Sequence, residues 1–166
     1  MNFQLYSSDS QYQSLIKRKF YNREESIQGF FKELSLFNFV NKQLVRPTFH
    51  TYFMRLAELA ASRSNCMKKG NGAIIVKDNR VISTGYNGTP CGLKNCNEGG
   101  CQRCNDNVSQ GIDLDKCVCM HAEESAVLEA GRIRTMGAII YTTSFPCTLC
   151  TKMIIQGGIT KVYYIY

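Results

Sequence analysis

The chain has 166 residues, which suits one domain built around a single core. Residues 1–20 contain no apolar run typical of an export signal, and no later run is long enough to span a bilayer. These features argue against secretion and membrane insertion, so we expect an intracellular, cytoplasmic protein. Nine cysteines in such a chain favour metal ligation and free thiols over disulfides.

The formal net charge of +7 raises the question of a nucleic acid partner. The basic residues are scattered, with their main clusters at 17–19, at Lys42 with Arg46, and at Lys68 with Lys69. None of these clusters interleaves with aromatic residues as single-strand binding surfaces do, so the pattern argues against nucleic acid. A solvated basic surface is favoured, and attraction of a phosphorylated small substrate is the functional alternative.

Residues 1–45 are rich in Ser, Asn, Gln, Lys and Phe and differ in this from the rest of the chain. Apolar residues at helical spacing predict an amphipathic helix over 26–34, followed by Phe37 and Phe39. We interpret 1–45 as an N-terminal extension or partner-docking segment. Pro47 interrupts the pattern, and residues 46–166 form the second predicted region.

In this second region a helix is predicted over 49–61, with Thr48 as its N-cap. Its apolar stripe is expected to lie in the core and consists of Tyr52, Phe53, Leu56, Leu59 and Ala60.

Four short apolar runs then predict strands, at 72–76, 81–85, 138–141 and 162–165. The first two are joined by a short polar turn and predict an antiparallel hairpin. Helices are predicted from His121 to Gly131 and from Pro146, as a first-turn residue, to Gly157. The strand–helix–strand tail predicts parallel pairing through a right-handed crossover. The whole pattern indicates a three-layer α/β domain.

The long loop between Pro90 and Met120 contains six cysteines: Cys91, Cys96, Cys101, Cys104, Cys117 and Cys119. Ordering such a loop is costly unless something crosslinks it, and a structural zinc would do so. Cys101 and Cys104 are the strongest ligand pair, completed by Cys96 and either Cys119, which we select, or Cys117. Free thiols in a mobile lid are the alternative.

His121, Cys147 and Cys150 can supply three ligands to a second kind of zinc site, which keeps one coordination position open. Such a zinc lowers the pKa of bound water, as replacing a ring amino group by oxygen requires. Glu123, two residues after the histidine, is positioned to transfer protons without ligating the metal. Both predicted helices would direct their N-termini at the ion, favouring thiolate at the cysteines. A structural zinc knuckle or a redox pair is the alternative for an isolated C-x-x-C.

The order H-x-E followed by P-C-x-x-C resembles the zinc-dependent nucleobase deaminases. Further runs resemble the deoxycytidylate (dCMP) deaminases, in particular fungal-type members, over about residues 46–165. These runs are TYFM at 51–54, AASRSNCMK at 60–68, GYNGTP at 85–90, CQRCN at 101–105, HAEESA at 121–126 and LEAGR at 128–132.

This resemblance implies hydrolytic conversion of dCMP to dUMP for thymidylate synthesis, on a cytidine deaminase-like three-layer α/β/α sandwich with a mixed sheet. It implies that His121, Cys147 and Cys150 hold the catalytic zinc and that Glu123 transfers protons. Asn87 would contact the sugar, and the Ala122 amide and the segment of Ser144 and Phe145 would face the base edge.

We select Arg63 and Ser64 as candidates for the 5′-phosphate, because a guanidinium can bind phosphate oxygens in a bidentate fork. A surface ion pair is the alternative for Arg63. The resemblance further implies a homo-oligomer, often a hexamer, activated by dCTP with Mg²⁺ and inhibited by dTTP, with nucleotide near residues 85–89.

Two departures from the resemblance affect these expectations. The residues at 68–72, which precede the first strand, differ from the family's usual segment there, which is more basic and contains valine. The family also continues past the fourth strand with a helix and a fifth strand, which the fold expected here lacks, leaving residues 162–166 as a bare edge. A non-catalytic or weakened zinc-binding accessory subunit is therefore an alternative to the dCMP deaminase. A deaminase of polynucleotide cytosine or tRNA adenosine is a further alternative.

Overall fold

The computed structural model describes residues 26–36, 46–106, 108–109 and 111–165. The chain divides into two units, Met1–Pro47 and Thr48–Tyr166. In the first, helix α1 spans Ile27–Ser35, as the apolar spacing predicts, and the Gly29 amide donates to Ser26 Oγ at 3.1 Å. Phe37, Phe39 and most of the predicted extension lie outside the described residues. The docking role of residues 1–45 stays a prediction.

Helix α2, Phe49–Ala61, opens the second unit at the predicted bounds. Thr48 caps it, because its Oγ1 accepts from the Thr51 amide at 3.2 Å. Phe53 and Ala57, one turn apart, are fully buried on the face that meets the sheet. The prediction of a core position is wrong for Tyr52 and Leu59, which are 45% and 65% exposed, because they point away from that face.

The sheet has four strands in the order β2-β1-β3-β4. They are β1, Gly72–Lys77; β2, Arg80–Tyr86; β3, Ile139–Thr142; and β4, Lys161–Tyr164. Strand β1 pairs antiparallel with β2 and β3, and β3 pairs parallel with β4. The predicted hairpin and the predicted parallel tail are thus both confirmed. Asp78 and Asn79 form the hairpin turn with positive φ angles of 51° and 57°, which these residues tolerate.

Helices cover both faces of the sheet. Alternate side chains of β1 point to opposite faces, and both sets are buried. Ile74 and Val76 pack against α2 on one face, whereas Ala73 and Ile75 pack on the other. That second face is covered by α4, Ala122–Ala130, and by α6, Thr148–Gln156. The predicted three-layer α/β domain with a mixed sheet is confirmed.

The described part of the second unit also contains the helical turns at Cys96–Glu98 and Leu114–Lys116 and helix α3, Gln102–Asn105. Helix α5, Arg132–Thr135, follows α4. Within the described part of the chain, none of the helices is both long enough and apolar enough to cross a bilayer.

Two glycines let helices approach the sheet backbone closely. A Cβ on Gly72 would lie 2.0 Å from the carbonyl oxygen of Ala57 in α2. A Cβ on Gly85 would lie 2.2 Å from the carbonyl oxygen of Ala122 and 2.5 Å from the amide nitrogen of Ala126, both in α4. Only glycine permits these contacts, so Gly85 sets how closely α4 lies against β2.

We expect Gly85→Ala to lower the free energy of unfolding by at least about 1–3 kcal/mol, since the added methyl must displace the α4 backbone. Urea unfolding would measure the change. Thr84→Ala, at an exposed neighbour on the same strand, is the matched control. A Gly85→Ala protein as stable as the control would contradict the proposed close contact.

Candidate metal centre

Three side chains from two helix starts meet at one point. His121 is the residue before α4, and Cys147 is the residue before α6. His121 Nδ1 lies 3.4 Å from Cys147 Sγ and 3.4 Å from Cys150 Sγ. The three ligand atoms all lie within 4.8 Å of one another, so one ion can contact all three.

This donor set fits zinc. Zn–N bonds of about 2.0 Å and Zn–S bonds of about 2.3 Å at a tetrahedral angle give an N···S separation of about 3.5 Å. The observed separations of 3.4 Å match that value. Three protein ligands leave a fourth position for a small molecule. The arrangement therefore suits a catalytic zinc better than a closed structural one.

Local hydrogen bonds fix both helix starts. Glu124 Oε2 accepts from the His121 amide at 2.7 Å, which closes the first turn of α4. Cys147 Sγ accepts from the Cys150 amide at 3.5 Å and takes the cap position of α6. Pro146 therefore precedes the cap, and its prediction as a first-turn residue is wrong. The Cys147 thiol is the N-cap, and the helix begins at the next residue, Thr148.

Glu123 is buried, with 6% of its surface exposed, and its two oxygens have different partners. Thr142 Oγ1 donates to Oε1 at 3.2 Å. Cys150 Sγ donates to Oε2 at 3.7 Å, beside the three ligands. Thr142 ends β3 and is fully buried. Sequence reasoning missed Thr142, because nothing in a strand-end threonine signals that a carboxylate will pack against it.

Burial raises the pKa of the Cys150 thiol far above its ordinary value, and the nearby Glu123 carboxylate raises it further. The helix N-terminus alone therefore does not favour the Cys150 thiolate. A divalent cation held by His121, Cys147 and Cys150 would supply the missing positive charge.

The predicted substrate residues Ser64, Asn87 and Ser144 belong to one hydrogen-bond network. Asn87 is buried, its Nδ2 donates to the Lys69 carbonyl at 2.7 Å, and its Oδ1 accepts from the Asn71 amide at 2.7 Å. Ser64 Oγ donates to the Asn87 carbonyl at 2.8 Å. Ser144 Oγ donates to Asn71 Oδ1 at 2.7 Å and accepts from Lys69 Nζ at 3.1 Å. Lys69 is a cation that sequence reasoning did not assign to the site.

The remaining predicted residues lie in different settings. Ala122 is buried and opens α4, so its amide is a first-turn donor without an acceptor inside the helix. Phe145 is 66% exposed and packs its ring edge-on against Tyr164 at 5.0 Å. The Arg63 guanidinium lies over the Tyr86 ring, 5.9 Å from its centroid.

A second group of sulfurs lies in the loop region. Two sets of four cysteines each have all their sulfurs within 4.8 Å of one another. They are Cys66, Cys96, Cys104 and Cys119, and Cys101, Cys104, Cys117 and Cys119. The two sets together contain six cysteines, which are called the sulfur cluster below: Cys66, Cys96, Cys101, Cys104, Cys117 and Cys119.

The four ligands predicted for this region are divided between the two sets. Cys96 belongs to one and Cys101 to the other, whereas Cys104 and Cys119 belong to both. Cys66 was missed as a ligand, because it precedes β1 and is separated from the loop by a whole hairpin. Cys117, the weighed alternative, has a place in the second set.

Comparison with known proteins gives the family of this fold and this centre. The family model described as the cytidine and deoxycytidylate deaminase zinc-binding region matches residues 47–166. The chain belongs to the cytidine and deoxycytidylate deaminase family. The matched range contains His121, Cys147 and Cys150.

Individual family members extend the comparison. A deoxycytidylate deaminase of Schizosaccharomyces pombe is 52% identical over 134 residues, 80% of this chain and 42% of the relative. One of Saccharomyces cerevisiae is 49% identical over 146 residues, 86% of this chain and 46% of the relative. The chain thus spans less than half the length of these curated relatives.

A solved family structure agrees with the observed fold. The crystal structure of dCMP deaminase from the cyanophage S-TIM5, in complex with dCMP and dUMP, is 32% identical with a TM-score of 0.57. The match covers 72% of this chain and 82% of the cyanophage chain. The predicted cytidine deaminase-like fold is confirmed.

We expect Cys150→Ala to lower the zinc content by about one ion per chain, since two ligands retain a catalytic zinc poorly. Elemental analysis of purified protein would measure this. Cys91→Ala is the control, because Cys91 is an exposed cysteine that belongs to none of the three ligand groups. Undiminished zinc in Cys150→Ala would contradict the assignment of this ligand.

Proposed function

We propose that this protein catalyses the hydrolytic deamination of dCMP to dUMP, supplying dUMP for thymidylate synthesis. One observation carries the proposal: a buried carboxylate, Glu123, lies beside a three-ligand cluster suited to zinc. The yeast relatives and the cyanophage enzyme bound to dCMP and dUMP support the choice of substrate.

His121, Cys147 and Cys150 would hold the catalytic zinc. When bound, zinc lowers the pKa of a water molecule to about 7 and so supplies a nucleophile at neutral pH. Glu123 Oε2 would accept the proton from that water. It would give this proton to the ring nitrogen while the water oxygen bonds to the ring carbon that carries the amino group. It would then take the remaining hydroxyl proton and give it to the amino group, so that the carbon–nitrogen bond breaks, ammonia leaves and a carbonyl remains.

Thr142 would keep Glu123 in position for both transfers. Its hydroxyl occupies Oε1 and leaves Oε2 directed at the metal ligands. Because Glu123 and Thr142 are both buried, bulk water would not compete for the proton.

The hydrogen-bond network around Asn87 would form the nucleotide-binding wall. Asn87 would contact the sugar, and the Ala122 amide with Ser144 and Phe145 would face the base edge. Arg63 and Ser64 would bind the 5′-phosphate. The cation–π contact of Arg63 with Tyr86 supports this, since such a contact does not use the N–H donors of the guanidinium.

The sulfur cluster would bind structural zinc and so order the loop between Pro90 and Met120. Its compact packing supports this role, because Cys96 and Cys101 are fully buried and Cys104 nearly so.

An effector site for dCTP with Mg²⁺, or for dTTP, would lie in the cavity of about 590 Å³ beside Gly88 and Thr89. Thr89 Oγ1 and Asn65 Oδ1 support this, because both are buried without a hydrogen-bond partner among the described residues. The protein would be a homo-oligomer whose activity is regulated by these nucleotides. An intracellular, cytoplasmic location follows from the proposed substrate.

The proposed activity would be tested by following the ultraviolet absorbance of dCMP with zinc-loaded protein. We expect conversion of dCMP, with kcat/KM for deoxycytidine lower by about 10–100-fold, because charged phosphate contacts contribute about 1.5–3 kcal/mol. A parallel sample with dCTP and Mg²⁺ would reveal the effector response. Zinc-loaded protein inactive on dCMP under every condition would contradict the proposal and favour an accessory subunit.

We expect Glu123→Gln to lower kcat by at least about 10²–10⁴-fold while zinc content is unchanged, since the amide cannot transfer the protons. Glu58→Gln, at an exposed carboxylate of α2, is the control. Loss of zinc in Glu123→Gln would instead identify Glu123 as a metal ligand or a structural group.

We expect Thr142→Val to lower kcat about 5–30-fold with KM and zinc content unchanged, because a lost hydrogen bond of about 1–2 kcal/mol leaves Glu123 less well oriented. Steady-state kinetics and elemental analysis would measure these quantities, with Thr84→Val as the exposed control. Unaltered kcat in Thr142→Val would contradict the positioning role.

A further inference from the structure

The two four-cysteine sets of the sulfur cluster have two members in common, Cys104 and Cys119. Four of its sulfur pairs form a connected chain of short contacts centred on Cys104. Cys104 Sγ lies 3.9 Å from Cys66 Sγ, 3.8 Å from Cys117 Sγ and 4.0 Å from Cys119 Sγ. Cys101 Sγ lies 3.9 Å from Cys117 Sγ. Cys104 therefore contacts sulfurs from both four-cysteine sets.

These separations identify the kind of site. A disulfide needs about 2.05 Å between sulfurs, so none of these pairs is bonded. In a tetrahedral site with Zn–S bonds of about 2.3 Å, neighbouring sulfurs are about 3.8 Å apart. The observed 3.8–4.0 Å is thus the edge length of a zinc–thiolate tetrahedron.

We propose that the sulfur cluster binds two zinc ions that share two thiolates. Cys66 and Cys96 are terminal ligands of the first ion, and Cys101 and Cys117 are terminal ligands of the second. Cys104 and Cys119, the two members common to both sets, bridge the ions.

Charge and ligand count favour two ions over one. A single ion in either set would use four sulfurs and leave the remaining two packed against its ligands. Six thiolates and two Zn²⁺ give a net charge of −2, the same as one zinc with four thiolates. The second ion therefore engages every sulfur without adding net charge.

Backbone amides support thiolates in both halves. The Met67 amide donates to Cys96 Sγ at 3.5 Å, and the amides of Lys68 and Lys69 hydrogen-bond Cys66. On the other side, the amides of Cys104 and Val118 hydrogen-bond Cys101. Such N–H donors stabilise the anionic form of a ligand. Their presence on both sides matches an ion on each.

Asn105 joins the two halves through the backbone. Its Nδ2 donates to the carbonyl of Cys96 and to the carbonyl of Cys101, both at 2.8 Å. One terminal ligand of each proposed ion is thus held by the same side chain. The spacing of the two halves is therefore fixed by hydrogen bonds as well as by sulfur contacts.

The first test is a metal count on the purified full chain and on the double variant Cys147→Ala/Cys150→Ala, which lacks the other zinc centre. We expect three zinc ions per wild-type chain and two in the double variant. One zinc in the double variant, or iron or copper in place of zinc, would overturn the proposal. Because the count isolates the sulfur cluster, it is independent of whether dCMP is the substrate.

The second test asks whether the two ions share sulfur. Wild-type holoprotein exchanged with ¹¹³Cd²⁺ is expected to give two cluster resonances with scalar coupling to each other, and one uncoupled resonance from the centre at His121. X-ray absorption at the zinc edge is expected to show a metal–metal distance of roughly 3 Å, from edge-sharing tetrahedra with Zn–S bonds of about 2.3 Å. Two cluster ions with neither coupling nor a metal–metal distance would overturn the sharing of ligands.

Single variants then distinguish terminal from bridging ligands. Cys66→Ala and Cys101→Ala are each expected to remove one zinc, from opposite halves, whereas Cys104→Ala removes both. Cys91→Ala, at the exposed loop cysteine outside the cluster, is the control and retains all zinc. Loss of the same single ion in Cys66→Ala and Cys101→Ala would overturn the two-ion assignment. The wild-type measurements decide the question even where a variant fails to fold.

Discussion

The contact between α4 and the backbone of β2 at Gly85 determines where the centre at His121 can form. Any side chain at position 85 of β2 would push α4 further from the sheet. Here the first turn of α4 reaches the level of the strand ends, where the buried hydroxyl of Thr142 meets Glu123. The carboxylate is therefore positioned by the sheet, although its sequence neighbours lie in a helix.

The second constraint is electrostatic. Glu123 and Cys150 are both buried, with Cys150 Sγ 3.7 Å from Glu123 Oε2, and two buried negative charges at that distance would repel each other. A cation at the ligand cluster converts this repulsion into attraction for both groups. Without a cation, the negative charges of this centre would not be balanced. The match to a zinc-binding region agrees with a zinc ion supplying the missing positive charge. The same reasoning applies to the sulfur cluster, where backbone amides offset only part of the charge that six thiolates would carry.

Local sequence predicted the parts of this protein that depend on local physics. The cap at Thr48, the bounds of α2, the hairpin and the parallel tail follow from spacing and turn residues, and the joint spacing of His121, Glu123, Cys147 and Cys150 indicated the centre. Contacts between distant segments were not predictable in this way. Thr142 meets Glu123 only because β3 ends beneath α4, and Cys66 joins the loop sulfurs only because the hairpin returns the chain to that side. Tyr52 and Leu59 were assigned to the core because apolar character alone does not say which face of a helix meets the sheet.

The sulfur cluster and the centre at His121 are connected through a very short stretch of chain. Cys119 lies two residues before His121, and Met120 between them pairs with Gly88 through two backbone hydrogen bonds of 2.9 Å and 3.3 Å. A metal held by Cys119 would therefore fix the chain on one side of Met120, and the Gly88 bridge fixes it in register with the end of β2. His121 enters α4 from this restrained position, and its amide is closed off by Glu124. Ordering the loop that precedes α4 would thus restrict where the His121 imidazole can lie. A three-ligand centre with one open position requires its ligands to be oriented in this way.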